Sequence, residues 1–213
     1  MSSVFLSPSL RISVARLGAV LVPVNFMLKA GEVNYILEHS GARMLCVDAS
    51  TIDVGLEALP SNVETVVALA GEAAAPPTGG NLVNWEDLVD NGEPPEECSD
   101  ARDLLQIIYT SGTESLPKGA MLTHEAVLWQ YQSCVIDCEW TRDTIALHAL
   151  PLYHCAQLDA MIGPGLQAGS LNIITGTPTP DNLIPLLAKY RATSFFAPPT
   201  IWISLLRSPL FDQ

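Results

Sequence analysis

Short runs of β-branched and aliphatic residues alternate along this chain with amphipathic stretches, and that rhythm restricts the fold more than any other feature. Such alternation marks βαβ units and a largely parallel sheet. Residues 20–24 (VLVPV), 43–48 (RMLCVD) and 64–69 (ETVVAL) read as strands. Between the first two, Val33, Ile36 and Leu37 recur at helical spacing over Glu32 to Ser40, and Gly41 stands where a left-handed cap is needed. Residues 71–81 and 91–99 read as Pro/Gly/acidic loops around a short helix near Trp85 to Val89.

A second series starts at Asp103. Leu104 to Tyr109 (LLQIIY) has a buried-strand pattern and runs into a polar, glycine-bearing loop, Thr110 to Gly119. The pattern then predicts helix 124–138 with Thr123 as its N-cap, strand 144–149, helix 155–168, strand 170–174, helix 180–190, strand 193–196 and helix 200–207. Thr179-Pro180-Asp181 has the marks of a helix start: a capping hydroxyl, a first-turn proline and an acid facing the positive end of the helix dipole. The expected class is α/β, three-layered, with a mostly parallel sheet flanked by helices.

The chemistry concentrates in Tyr109-Thr110-Ser111-Gly112-Thr113-Glu114-Ser115-Leu116-Pro117-Lys118-Gly119. Open parallel sheets bind ligands at strand ends. This loop offers hydroxyls, flexible backbone at Gly112 and Gly119, and one lysine. Backbone amides in a tight turn can wrap a phosphate, hydroxyls can bond it or touch Mg²⁺, and lysine adds a point charge. It is not a Walker loop, because Pro117 precedes Lys118 and Gly119 follows it.

The loop resembles the phosphate-binding signature of the adenylate-forming (AMP-binding) superfamily, aromatic-Thr-Ser-Gly-Thr-Thr-Gly-x-Pro-Lys-Gly. Other segments resemble its fatty-acyl-CoA synthetase branch in the expected order: Leu17 to Asn25, Glu32 to Ser40, Leu122-Thr123-His124, Leu150 to His154, and Thr193 to Thr200. The resemblance implies part of an N-terminal domain, with 1–100 a partial first α/β subdomain. Residues 101–213 would be a second α/β subdomain, truncated before the C-terminal domain. It implies an AMP-forming ligase that joins a fatty acid or other carboxylate to ATP and passes the acyl group to CoA. In that scheme Thr110, Ser111, Gly112, Thr113 and Gly119 bind nucleotide, Lys118 is catalytic, Thr110 touches Mg²⁺, and Tyr153 and His154 border the acyl site.

Two departures bear on this scheme. Where the signature has Thr-Gly, this chain has Glu114-Ser115, which brings a carboxylate toward phosphate and removes a flexible residue. The aromatic-Gly-x-Thr-Glu motif of the family is not found, nor its ribose-binding aspartate region, hinge or adenylation lysine. A full two-step reaction from this polypeptide alone is not expected, and a non-catalytic relative acting as a binding module is the rival reading. Surfaces left exposed by truncation could pair two copies.

Composition excludes other classes. With 23 acidic and 10 basic residues the formal charge is −13, which repels nucleic acid and anionic lipid. No apolar run reaches membrane-span length and no secretory signal opens the chain, so the expected compartment is the cytoplasm. The five cysteines lack metal or redox spacing, and they read as small buried side chains. His154 and Asp159 make a His-x-x-x-x-Asp spacing used by some acyltransferases, but a five-residue offset on a helix separates them by roughly 140°. His124 reads as a helix N-terminal contact, His39 as sitting near a helix C-terminus and His148 as packing. Phe195, Phe196 and Trp202 read as core first and acyl-pocket wall second, and Trp129 and Tyr131 as helix packing.

Overall fold

The structure is a computed structural model that describes residues 3–69, 82–88, 96, 99–110 and 116–212. It divides into two compact units, Met1–His124 and Glu125–Gln213.

The first unit opens with helix α1 (Ser3–Arg16), which the sequence pattern hides because Pro8 lies inside it and no apolar stripe repeats. Arg11, nearly buried, donates from Nη1 to Oε1 of the fully buried Gln106, so a guanidinium is taken out of water with a polar partner supplied. Helix α2 (Ala30–Ser40) then precedes β1 (Met44–Val47), α3 (Ile52–Glu57) and β2 (Thr65–Ala68). These are followed by β3 (Leu82–Asn84) and α4 (Trp85–Leu88). Glu32 accepts from the Lys29 amide at 2.9 Å where α2 begins, and Gly41 ends it at φ 69°. Strands β1, β2 and β3 pair in parallel in that order. Val33, Leu37, Leu45, Val47, Ala58 and Val66 form the core beneath them.

Residues 20–24 form no strand beyond a single parallel bridge, Leu21 to Gln106. Leu21 donates to Leu105 O and accepts from Ile107 N, so the next donor in the ladder would be residue 23. That residue is Pro23, which has no N–H to give, and the ladder stops. Strands β4 (Leu104–Thr110) and β5 (Lys118–Thr123) close the unit as an antiparallel pair. The loop expected over Thr110 to Gly119 is thus shorter at both ends, with Thr110, Lys118 and Gly119 in the ladder.

The second unit holds most of helix α5 (His124–Asp137), then β6 (Ile145–His148), α6 (Cys155–Gln157), a π-helical turn (Leu158–Ile162) and α7 (Gly163–Ala168). Next come β7 (Leu171–Ile174), α8 (Pro180–Tyr190), β8 (Ser194–Phe195) and α9 (Pro199–Leu206), with a 3₁₀ turn at Pro209–Asp212. The sheet is parallel, in the order β7-β6-β8. Leu147, Ala149, Leu183 and Leu205 form its core. The helix expected over 155–168 widens into the π turn immediately before Pro164. That residue cannot donate to the preceding turn and would clash with it in a regular α-helix.

Several packing expectations are corrected. Trp129 is 66% exposed, because α5 buries Val127 and a residue two positions on points to the opposite side. Tyr131 does pack, its ring lying where a side chain on Gly163 would project. Phe195 meets Trp202 edge-on with centroids 5.3 Å apart, whereas Phe196, just past the end of the strand, is exposed. Cys138 and Cys155 are exposed, not buried. Thr179 caps α8 through its backbone without a side-chain hydrogen bond.

Helix α8 ends on Arg191 at φ 50°, a left-handed conformation that costs a β-carbon residue about 1 kcal/mol. Arg191 is exposed. Arg191→Gly is therefore expected to raise the unfolding free energy by about 0.5–1 kcal/mol in urea titration with an unchanged denaturant slope. No gain would mean the arginine makes contacts that offset its strain.

Candidate functional site

Across the β4–β5 ladder Thr110 stands opposite Lys118 and Tyr109 opposite Gly119. Directly opposed residues place their β-carbons about 4.5–5.5 Å apart on one face. The Thr110 hydroxyl and the Lys118 ammonium stem therefore rise together from the base of the loop, and both residues are exposed. On the other face Gly119 leaves room for Tyr109. A β-carbon there would come 2.7 Å from Ile107 Cγ2 and 3.3 Å from Tyr109 Cζ. Ser111, Gly112 and Thr113, together with Glu114 and Ser115, lie outside the described residues.

Helix α2 meets both legs of this hairpin. His39 Nδ1 shares a hydrogen bond of 2.7 Å with the Tyr109 hydroxyl, and the Tyr35 hydroxyl donates to Pro117 O at 3.2 Å. The Tyr35 and His39 rings stack at 5.3 Å, and His39 meets Tyr109 edge-on at 5.8 Å. Burial pushes the Tyr109 phenol above its ordinary value; the neighbouring Tyr35 adds to this and Ser40 opposes it.

In the second unit His154 caps α6, its Nδ1 accepting from the Ala156 amide at 3.1 Å. An accepting Nδ1 puts the proton of the neutral ring on Nε2, and the residue is exposed. A donor directed outward in this way suits a carboxylate. Tyr153 beside it is half-buried. Asp159 is buried in the π turn whereas His154 is exposed at the α6 cap, which disfavours the His-x-x-x-x-Asp reading.

Next to them runs a buried polar relay. Gln157 Oε1 accepts from the Leu150 amide at 3.3 Å, and its Nε2 meets His148 Nδ1. His148 Nε2 meets Asn172 Oδ1 at 2.8 Å, and Asn172 Nδ2 donates to Ser170 O at 3.0 Å. Because Asn172 spends its amide donor on Ser170, its oxygen accepts from His148 Nε2–H. Nδ1 is then bare and accepts from Gln157. Each member is satisfied only when His148 is neutral.

Comparison with known proteins settles the family. A model described as AMP-binding enzyme matches residues 10–213. The chain belongs to the AMP-binding enzyme family. It is 32% identical to a feruloyl-CoA synthase of Amycolatopsis sp over 192 residues, 90% of this chain and 36% of that one. It is 33% identical to the long-chain-fatty-acid–CoA ligase FadD13 of Mycobacterium tuberculosis over 165 residues, 74% of this chain and 30% of that one. Among solved structures it superposes on ATP-bound MatB from Rhodopseudomonas palustris with a TM-score of 0.78 at 28% identity, covering 96% of this chain and 39% of that one. The N-terminal domain of FACL13 from Mycobacterium tuberculosis gives 0.79 at 26% identity, covering 97% and 50%. The chain spans about a third of the length of these curated relatives.

This member of the AMP-binding enzyme family thus carries the Thr110–Lys118 hairpin in one unit and a capped histidine in the other. Tyr35 and His39 escape sequence reasoning because only packing brings α2 to the hairpin. Their one signal is their spacing of four, which puts both on a single helix face.

Burial holds the His148 pKa below its ordinary value of about 6.5, against the opposing hydrogen bond to Asn172. The folded state therefore binds fewer protons than the unfolded state just below pH 6.5. Its stability is fully present above that pH and is lost as pH falls through the folded pKa. Urea titrations from pH 7.5 to 5 should show the decline, and His148→Gln should flatten it. An unchanged slope in that variant would locate the titration elsewhere.

Proposed function

We propose that this chain is the phosphate-holding part of an AMP-forming acyl-CoA ligase acting on a fatty acid, in the cytoplasm. A carboxylate oxygen attacks the α-phosphorus of ATP and pyrophosphate leaves, giving an acyl-adenylate. The thiol of CoA then attacks the acyl carbon and AMP leaves. The first step makes the carboxylate attackable, because AMP is a far better leaving group than oxide. The observation that carries the reading is the pairing of Thr110 with Lys118 at the base of the loop.

In this scheme Thr110, Ser111, Gly112, Thr113 and Gly119 hold the outer phosphates, and Lys118 offsets the charge that accumulates on departing pyrophosphate. The outward Nε2–H of His154, with Tyr153, borders the acyl carboxylate. No group of three or more His, Cys, Asp or Glu able to hold a metal occurs among the described residues. The single Thr110 hydroxyl suits a Mg²⁺ that arrives already bound to ATP phosphates and water. Such an ion would screen phosphate charge. No helix among the described residues is long and apolar enough to cross a membrane.

Calorimetric titration with Mg-ATP tests the phosphate role, and Lys118→Ala should weaken binding at least tenfold. Failure of the folded wild-type chain to bind at millimolar ATP would sink the reading. ATP–pyrophosphate exchange with long-chain fatty acids and with hydroxycinnamates then separates the acyl classes; turnover of hydroxycinnamates alone would reject the fatty-acid assignment. Glu114 and Ser115 favour a second reading, a non-catalytic relative. It predicts neither Mg-ATP binding nor ATP–pyrophosphate exchange.

A further inference from the structure

We propose that Tyr35 and His39 are positioning residues that hold the two legs of the phosphate-loop hairpin against helix α2; the proposal rests on the nucleotide reading above. One leg ends at Tyr109 and Thr110, and the other begins at Pro117 and Lys118. The ladder joins them side by side, but a two-stranded ribbon is marginal alone in water and can twist or fray at its open end. The two hydrogen bonds from α2 fall at that end, one on each leg: His39 Nδ1 with the Tyr109 hydroxyl at 2.7 Å and the Tyr35 hydroxyl to Pro117 O at 3.2 Å.

Both contacting groups come from one rigid element. Residues 35 and 39 lie four apart on α2, whose Val33 and Leu37 are fixed in the unit's core. Their rings stack on each other, so neither swings freely. Gly119 completes the seat, since any β-carbon there would press on the Tyr109 ring and on Ile107. The helix thus sets where Thr110 and Lys118 stand without touching a ligand itself. Pre-set geometry of this kind raises affinity by removing ordering cost at the moment of binding.

The test uses the whole chain with Tyr35→Phe, His39→Ala and His39→Asn. Tyr35→Phe removes one oxygen and keeps the ring stack, so a folding failure of His39→Ala does not leave the question open. His39→Asn places an amide near the position of Nδ1. Tyr35→Phe and His39→Ala should each speed amide exchange at Lys118 to Met121 about fivefold, the worth of one net hydrogen bond. Exchange at Met44–Val47 and Thr65–Ala68 should stay within about twofold of wild type. Binding of Mg-ATP and of inorganic tripolyphosphate should weaken by a similar factor, and His39→Asn should restore both readouts.

Unchanged exchange at the hairpin, or equal loosening of β1 and β2, would overturn the proposal. A wild-type chain that binds neither ATP nor tripolyphosphate would remove the nucleotide reading, while hairpin exchange would still decide whether the clamp exists.

Discussion

Glu114→Thr combined with Ser115→Gly is expected to tighten Mg-ATP binding by about ten- to a hundredfold. A carboxylate about 5 Å from a phosphate charge costs on the order of 3 kcal/mol at an effective dielectric near 20, which is roughly a hundredfold in affinity. Solvent and salt screen part of that, which sets the lower figure. Glycine at 115 adds turn conformations closed to serine, so less strain accompanies wrapping a phosphate. Glu114→Gln separates the two effects, since it removes charge and keeps size; it should recover most of the gain. The gap between wild type and Glu114→Gln should also narrow between 50 and 500 mM salt. Calorimetry returning equal or weaker affinity for the double variant would mean that Glu114 faces away from phosphate. The non-catalytic reading would then lose its main support.

Most of the α/β layout was legible because it rests on local signals. Helix α2 shows three apolar residues at helical spacing and a glycine at its end, and both do what the pattern requires. Two strands of the second unit, β6 and β7, are short aliphatic runs, and all three of its strands fall within their expected ranges. Failures came where one residue or one distant contact overrides the pattern. Val20 to Val24 has strand composition, yet one missing N–H at Pro23 stops the ladder after a single bridge. Lys118 to Thr123 is rich in small and flexible residues, and its partner in β4 makes it a strand. Trp129 is a large apolar side chain that pattern reasoning buries, but burial belongs to a helix face and Val127 occupies that face.

The candidate site was legible to the same extent. Motif spacing singles out Thr110 and Lys118, and the ladder puts them opposite each other. Nothing in the spacing reveals that α2 holds the hairpin, because contacts between residues 35 and 117 or 39 and 109 exist only after folding. His154 was read as bordering the acyl site, and in the structure it also caps α6. The cap uses Nδ1 and leaves Nε2 outward, so one ring can serve both roles. His148 was read as packing only, whereas it is the centre of a polar chain whose proton positions are fixed by Asn172 and Gln157.

That chain underlies the second large effect. Gly165→Ala is expected to lower the unfolding free energy by about 3 kcal/mol. A β-carbon at 165 would fall well inside 3.0 Å of Asn172 Oδ1 and 2.8 Å from Trp140 Cζ3. Trp140 is buried and Asn172 is tied to Ser170 on one side and His148 on the other, so neither yields cheaply. Overpacking costs about 1–3 kcal/mol, and moving Asn172 leaves His148 Nε2–H without its acceptor in a buried site for about 1–3 more. Alanine gains roughly 1 kcal/mol over glycine within a helix, too little to reverse the sign. A double-mutant cycle identifies the cause. In an Asn172→Ala background the first clash is gone and the acceptor is already lost, so Gly165→Ala should cost at least about 1 kcal/mol less than in wild type. Equal cost in both backgrounds would assign the whole penalty to Trp140 and leave the relay without a part in setting how closely α7 approaches β7. A reduced cost would mean that the glycine at 165 is there to keep Asn172 on His148, and through it to keep the ring neutral and Gln157 in place behind the α6 cap.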